Sequence, residues 1–271
     1  MTARGSSLVV GGTRLETRWI GPGPAQAPTI VMLHEGLGCV DRWKEWPERL
    51  AATTGCGVFL YSRAGYGGSD SITLPRPLSY MHDEALGVLP AVLDQIGFER
   101  GILLGHSDGA SIATIYAGGT TDFRVRGLAL LAPNFFVEEI GLKRVERAKA
   151  DFEQSDLRER LAKYHGTNVD VAFRGWSETW LDPEFRTWDI RESIGYIRVP
   201  ILIVRGSEDE YGTVAQIEAA REEAYCPVDA VVLPGVGHSP HLDAPDETLA
   251  VVSGFVGTLL TTFGEGAMHG H

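Results

Sequence analysis

The residues Gly105-His106-Ser107-Asp108-Gly109 place a serine between two glycines, where an apolar run ends and an amphipathic segment begins. This G-x-S-x-G pattern is typical of a nucleophile elbow, a strand-to-helix turn so sharp that larger side chains at the glycine positions would collide with backbone. The N-terminus of the following helix favours negative charge that develops at the serine. The pattern therefore predicts that Ser107 is a nucleophile.

A serine hydroxyl needs a base to take its proton and an acid to orient that base, so a carboxylate and a histidine are expected elsewhere in the chain. Asp209 follows the apolar run Ile201–Arg205, and His238 follows the run Ala230–Leu233. Strand ends of a parallel sheet meet at one edge, which would bring both side chains to the serine. The competing candidates, which are less favoured, are Glu208, Glu210 and His241.

Short β-branched runs bounded by glycine, proline or aspartate predict the elements that position these residues. The eight predicted strands are Ser7–Val10, Leu15–Ile20, Thr29–His34, Gly57–Arg63, Gly101–His106, Gly127–Leu131, Ile201–Arg205 and Ala230–Leu233. Gly11-Gly12 predicts a tight hairpin between the first two. Amphipathic segments then alternate with the strands, at Asp41–Thr54, His82–Gly97, Asp108–Ala117, Val214–Tyr225 and Asp246–Phe263. This alternation predicts an α/β fold with an eight-stranded, mostly parallel sheet flanked by helices.

One stretch, residues 135–195, interrupts the alternation because it contains no strand-like run and 23 of its 61 residues are charged. It also holds nine of the 24 aromatic residues. Val169, Phe173, Trp176 and Trp180 share one face of a helix that starts after an Asn168 N-cap. We therefore expect a core made of residues 1–134 and 196–271 and a helical cap inserted at 135–195. The aromatic stripe either packs on the core or also lines a substrate pocket.

Together these features resemble an α/β-hydrolase of the capped, esterase-like kind over residues 7–263. The order Ser, Asp, His is the order of that fold. The loop Ser62–Asp70 is similar to the family's R-x-G-x-G-x-S-D loop, and Pro240-His241-Leu242 is also typical. The G-x-x-D spacing of the family favours Asp209 as the acid. An aspartate nucleophile at position 108 would be flanked by His106 and Ala110, which argues against dehalogenase and epoxide hydrolase chemistry.

The family motif H-G-x-x-G corresponds here to His34-Glu35-Gly36-Leu37-Gly38. The resemblance implies that the amides of Gly36 and Asp108 form an oxyanion hole. Glu35 stands where the family has glycine, so it is either a substrate or acid–base contact or, as we favour, a structural carboxylate. The resemblance and the stripe give a substrate-binding set of Glu35, Phe173, Trp176 and Trp180.

The composition of the chain indicates which partners and which cellular location to expect. A formal net charge of −12, with no basic cluster, argues against nucleic acid as a partner. Three widely spaced cysteines form no disulfide framework, and the chain shows neither a signal peptide nor an apolar run long enough to span a membrane. We expect a cytoplasmic protein that acts on a small molecule, without a cofactor or a metal, and a homo-oligomer is compatible with this composition.

The sequence thus predicts a serine hydrolase that cleaves a carboxylic ester or lactone of a small to medium apolar or aromatic substrate through an acyl-enzyme. A C–C bond hydrolase or an acyltransferase would need the same three residues and is the alternative. A ligand receptor on this fold would need no nucleophile and is less favoured.

Overall fold

The computed structural model describes residues 6–265, and within that range eight strands form a single sheet. They are β1 (Ser6–Val10), β2 (Thr13–Ile20), β3 (Thr29–Leu33), β4 (Gly57–Tyr61), β5 (Gly101–His106), β6 (Val125–Leu131), β7 (Ile201–Gly206) and β8 (Val228–Leu233). Their order across the sheet is β1-β2-β4-β3-β5-β6-β7-β8. β2 pairs antiparallel with β1 and β4, and every other pairing is parallel. The predicted fold class is confirmed.

Helices cover both faces of the sheet. They are α1 (Trp46–Thr54), α2 (Tyr80–Asp83), α3 (Leu89–Gln95), α4 (Asp108–Gly119), α5 (Glu139–Gln154), α6 (Leu157–His165), α7 (Val169–Trp180), α8 (Arg191–Tyr196), α9 (Ala215–Glu223), α10 (Pro240–Asp243) and α11 (Pro245–Glu265). A π-helical turn, Glu84–Val88, joins α2 to α3. Short 3-10 helices occupy Val40–Trp43, Gly166–Asn168 and Pro183–Thr187.

The central strands are buried on both sides, and their side chains alternate between two hydrophobic clusters. Leu103 of β5 faces the cluster that contains α3, α4 and α9, whereas Ile102 and Leu104 face the cluster that contains α1 and α11. This period of two explains why the central strands read as continuous apolar runs in the sequence.

The hairpin between β1 and β2 turns at Gly11 and Gly12, whose φ angles are +56° and +86°. Two successive positive φ angles are the geometry that matches the twist of a two-residue hairpin, and glycine adopts them without steric cost. The hairpin forms one edge of the sheet, far from the strand ends that carry the predicted catalytic residues.

The segment between β6 and β7 is helical, with α5, α6, α7 and α8 in succession. α7 begins at Val169 as the sequence predicts, but the side chain of Asn168 does not cap it. The Asn168 amide instead donates to the carbonyls of Gly67 and Ser69. This correction has a physical reason: Asn168 is buried against the Ser62–Asp70 loop, whose carbonyls offer acceptors that a sequence pattern does not reveal.

Candidate active site

Ser107 lies between β5 and α4 and has a φ of +52°, a strained value for a residue with a side chain. The turn is possible only because its flanking residues are glycines. A Cβ at Gly105 would lie 2.3 Å from the carbonyl oxygen of Gly109, and a Cβ at Gly109 would lie 2.0 Å from that of Leu33. The elbow predicted from the sequence is present, and it holds Ser107 at the carboxyl edge of the sheet.

The structure brings the three predicted catalytic side chains into hydrogen-bond distance. His238 Nε2 lies 2.9 Å from Ser107 Oγ, and His238 Nδ1 lies 2.8 Å from Asp209 Oδ1. With the proton on Nδ1, the imidazole donates to Asp209 and accepts from the serine hydroxyl. This is the geometry in which a histidine can act as the base for a serine.

Asp209 is buried and held from three directions. Its Oδ1 accepts hydrogen bonds from His238 and from the Tyr211 amide, and its Oδ2 lies 2.8 Å from the guanidinium of Arg205. Burial by itself raises the pKa of Asp209, but the hydrogen bond from His238, the charge of Arg205 and the hydrogen bond from the Tyr211 amide outweigh burial and lower that pKa below its ordinary value. The carboxyl group is therefore kept ionised beside the imidazole.

The competing acids and base lie in different positions. Glu208 is exposed, and Glu210 accepts a hydrogen bond from the backbone amide of His238 rather than from its ring. His241 is buried against Trp43, with ring centroids 4.7 Å apart, and burial lowers its pKa well below the ordinary value. Of these five candidates, Asp209 and His238 are the two that form a continuous chain to the serine.

Two backbone amides, those of Gly36 and Asp108, are directed to no acceptor among the hydrogen bonds of residues 6–265. The buried Arg63 holds the loop that carries Gly36, because its guanidinium donates to the carbonyls of His34 and Glu35. Trp176 of α7 packs directly on Gly36, where a Cβ would lie 2.2 Å from the indole ring. The glycine thus keeps the amide open beneath the indole.

Glu35 lies at the wall of the site and contacts Arg42 and His106. Its carboxylate is 3.2 Å from Arg42 Nε and 3.5 Å from His106 Nδ1. Burial opposes ionisation of Glu35, but the contacts with His106 and Arg42 prevail and hold its pKa well below the ordinary value. Because the other ring nitrogen of His106 lies 2.8 Å from the carbonyl oxygen of His238, this cluster connects the oxyanion loop to the loop of the base.

A cavity of about 320 Å³ opens above Ser107. Its walls combine charged and aromatic side chains, among them Glu35, Arg42, Arg144, Trp176, Trp180 and Tyr211. Three of the four predicted substrate-binding residues therefore line it. The fourth does not: Phe173 is buried and stacks on Phe152 of α5, with ring centroids 3.9 Å apart. Phe173 also meets the edge of Trp176, so it supports the cavity wall from behind.

The sequence interpretation missed two residues of the site. Asn134 follows β6 and directs its amide nitrogen to Ser107 Oγ at 3.5 Å, and Arg205 at the end of β7 pairs with Asp209. Ala132, two residues before Asn134, has a φ of +45°, a second strained backbone angle next to the site. The available signal was position: both residues lie at the carboxyl ends of central strands, where functional side chains concentrate.

Over residues 6–260, no group of three or more histidine, cysteine, aspartate or glutamate side chains is arranged to hold a metal ion. Across the same range no helix is both long and apolar enough to cross a membrane. The fold and the site thus define a protein of the α/β-hydrolase class with a serine at the elbow.

A family model described as "Alpha/beta hydrolase family" matches residues 30–251. The chain belongs to this family, and the resemblance seen in the sequence is confirmed.

Curated relatives match only part of the chain. Epoxide hydrolase B of Mycobacterium tuberculosis is 32% identical over 108 residues, 39% of this chain and 29% of that protein. The 2-hydroxy-6-oxononadienedioate/2-hydroxy-6-oxononatrienedioate hydrolase of Paraburkholderia phymatum is 31% identical over 118 residues, 43% of this chain and 40% of that protein. The chain thus spans less than half the length of either relative.

Among solved structures, the enol-lactonase from Burkholderia xenovorans LB400 superimposes on this protein with a TM-score of 0.69. The superposition covers 94% of this chain and 100% of the enol-lactonase chain. The sequence identity is 21%, so this likeness establishes the fold alone. The architecture is thereby shared along nearly the whole chain.

Proposed function

We propose that this protein is a serine hydrolase that cleaves carboxylic esters or lactones. The observation that carries the proposal is the chain of two short contacts, 2.9 Å from Ser107 to His238 and 2.8 Å from His238 to Asp209. A serine so arranged can attack a carbonyl carbon while the histidine takes its proton.

In the mechanism, His238 accepts the proton of Ser107 as Oγ attacks the carbonyl carbon. The amides of Gly36 and Asp108 stabilise the negative oxygen of the tetrahedral intermediate. His238 then gives the proton to the departing alkoxide, which leaves Ser107 acylated. A water molecule, deprotonated by the same histidine, attacks the acyl carbonyl and releases the acid and the free serine.

The residue at the elbow favours an ester over an epoxide. If Ser107 opened an epoxide ring, the product would be an alkyl ether without a carbonyl for water to attack, and the enzyme could not turn over. Asp108 does not replace it as a nucleophile, since its carboxyl group accepts a hydrogen bond from Tyr80 and His238 contacts Ser107 instead. The wall of Trp176, Trp180 and Tyr211 suits a small to medium apolar or aromatic substrate.

C–C bond hydrolysis is the second candidate, because the same serine, histidine and aspartate are present and the Paraburkholderia phymatum relative carries a name of that activity. A panel that sets aryl esters and lactones against a vinylogous diketone distinguishes the two. We also propose a cytoplasmic location, which the three free cysteines, Cys39, Cys56 and Cys226, support.

The experiment is labelling with a fluorophosphonate, with the modified peptide identified by mass spectrometry, combined with ester hydrolysis by Ser107→Ala. We expect the label on Ser107 and a loss of kcat of about a thousandfold or more in the variant. Ser253→Ala, on α11, is the matched control and should retain both labelling and activity. Label on another serine, or activity retained by Ser107→Ala, would overturn the proposal.

A further inference from the structure

His106 has a hydrogen-bond acceptor at each of its two ring nitrogens. The residue directly precedes the nucleophile, and its imidazole is completely buried. Its Nε2 lies 2.8 Å from the carbonyl oxygen of His238, and its Nδ1 lies 3.5 Å from Oε2 of Glu35. Carbonyl and carboxylate oxygens accept hydrogen bonds and do not donate them. The imidazole is thus placed between two acceptors.

A neutral imidazole does not fit between two acceptors. If its one proton were on Nδ1, the lone pair of Nε2 would face the His238 carbonyl oxygen at 2.8 Å. If the proton were on Nε2, the lone pair of Nδ1 would face the Glu35 carboxylate, and Nδ1 is buried away from any solvent donor. The form with a proton on each nitrogen donates in both directions. The contacts of His106 therefore favour an imidazolium.

The titratable groups around His106 agree with a positive charge on its ring. Burial raises the pKa of Glu35, but the contact with His106 and the charge of Arg42, whose Nε lies 3.2 Å from Oε1, hold that pKa well below its ordinary value. His241 packs on His106 with ring centroids 4.8 Å apart, and burial together with the charge of His106 lowers the pKa of His241 well below its ordinary value. The ring of His238 lies 5.2 Å away. Among these neighbours, Glu35 is the anion that balances His106.

The imidazole connects the nucleophile, the proposed oxyanion hole and the base. His106 adjoins Ser107 in the chain, and through Nδ1 it contacts Glu35, which adjoins Gly36. Through Nε2 it contacts the carbonyl of His238, the base itself. These segments lie at the ends of three different strands, β3, β5 and β8. Because small displacements of reacting groups reduce rates strongly, a contact that spans all three segments can keep the reacting groups in place.

We propose that His106, in its doubly protonated form, is a positioning residue that ties the loop of Gly36 to the loop of His238. One proton joins Nε2 to the His238 carbonyl, and the other holds Nδ1 against the Glu35 carboxylate. When Nδ1 releases its proton to solvent at alkaline pH, its lone pair faces the carboxylate and the tie to the loop of Gly36 is lost. This inference rests on the proposed function and adds a residue that supports it.

The test compares the pH profiles of kcat for wild type and Glu35→Gln between pH 5 and pH 10 with an aryl ester. The introduced amide has the shape of the carboxylate, and it can accept from Arg42 while it donates to a neutral Nδ1, so the tie no longer needs a second proton on His106. An amide beside a neutral imidazole has the same net charge as a carboxylate beside an imidazolium, so the acid limb of the profile, which belongs to His238, should stay in place. We expect kcat of the wild type to fall about tenfold or more on the alkaline side, and kcat of Glu35→Gln to show no such fall.

Two results would overturn the proposal. The first is an alkaline limb of the same size and position in both proteins, or in neither. The second is a raised KM in Glu35→Gln with an unchanged pH profile of kcat, which would make Glu35 a substrate contact. Circular dichroism at each pH separates a fall in kcat from unfolding.

Two further variants assign the alkaline limb to His106. His106→Phe keeps a ring in the buried space but removes both donors, so it should lower kcat by about a hundredfold and show no alkaline limb. His241→Phe is the matched control, because His241 is also a buried histidine and packs on His106. It should keep the alkaline limb of the wild type. Loss of that limb in His241→Phe, or a kcat of folded His106→Phe within about twofold of the wild type, would contradict the proposal, and Glu35→Gln decides the matter if His106→Phe does not fold.

Nitrogen NMR of isotopically labelled histidine rings tests the protonation state without a substrate. At pH 7 we expect one imidazole of the wild type to carry protons on both nitrogens and to lose the Nδ1 proton in Glu35→Gln, a change that identifies it as His106. If no histidine changes in this way, the proposal is wrong. Failure of the proposed function has a different signature, namely a wild type that cleaves no ester, and in that case the NMR result alone decides whether His106 carries both protons.

Discussion

Replacement of Arg205 by methionine tests how firmly the acid of the site is held. Arg205 and Asp209 lie 2.8 Å apart, and each side chain is only 1% exposed. Methionine fills similar space but leaves the Asp209 carboxylate buried without its cation. Removing one partner of a buried pair costs about 3–5 kcal/mol of unfolding free energy, which lowers the Tm by roughly 6–20 °C for a chain of this size.

Arg160→Met provides the matched comparison. Arg160 and Asp156 are also four residues apart and form an ion pair, at 3.3 Å, but their side chains are 59% and 71% exposed. Water solvates both charges there, so the loss should be about 0–1 kcal/mol. The two variants thus change the same residue type at the same spacing and differ in burial.

The pH dependence gives a second readout of Arg205→Met. In the wild type the pKa of Asp209 is lowered, so its ionised form contributes stability above the unfolded pKa of about 3.9, and that stability is lost as pH falls through the lower folded pKa. The variant should lose this stability at a higher pH. The difference in unfolding free energy between the two proteins should therefore be largest near neutral pH and shrink in acid.

The assay is urea denaturation of wild type, Arg205→Met and Arg160→Met from pH 7 to pH 2.5, which spans the window below the unfolded pKa of Asp209, followed by circular dichroism. Ester hydrolysis at pH 7 is measured in parallel, since a displaced Asp209 should also reduce kcat. A loss in Arg205→Met no larger than in Arg160→Met, or a difference that grows as pH falls, would refute the reasoning.

Three further outcomes follow from the site. Gly105→Ala should unfold the protein or lower its free energy of unfolding by about 3 kcal/mol or more. Gly254→Ala, in an exposed helical position with no atom within 4 Å of the added Cβ, should instead stabilise the protein by about 0.5–1 kcal/mol. Thermal denaturation measures both effects. Gly36→Ala should displace Trp176 and lower kcat/KM for esters by about a hundredfold, and unchanged kinetics would contradict the placement of the indole. Asn134→Ala, which removes a donor 3.5 Å from the nucleophile, should lower kcat by about tenfold, and Asn134→Asp should not restore it.

Much of the site could be predicted because its residues occupy positions fixed by local rules. Ser107 is identified by two glycines that the elbow requires, and Asp209 and His238 are identified by their places just after β7 and β8. In a parallel sheet those positions converge at one edge whatever the details of packing. Gly36, by contrast, was expected only from its resemblance to the family motif H-G-x-x-G, in the loop after β3.

Helix α7 shows which part of the site the hydrophobic periodicity does not predict. The pattern places Phe173, Trp176 and Trp180 on one face of α7, and all three are buried. An amphipathic face covers more than 100° of the helix surface, so it can meet two neighbours. Trp176 and Trp180 line the cavity, whereas Phe173 packs on Phe152 of α5.

By itself the sequence determined the fold, the elbow and the identity of the serine, histidine and aspartate, because backbone sterics and strand order are local or topological properties. Only the tertiary structure decided what each polar group is paired with. It showed that Arg205 pairs with Asp209, that Glu35 lies between Arg42 and His106, and that Asn134 directs its amide to Ser107. These pairings join residues brought together by packing, and electrostatic interactions depend on distance and burial rather than on position along the chain.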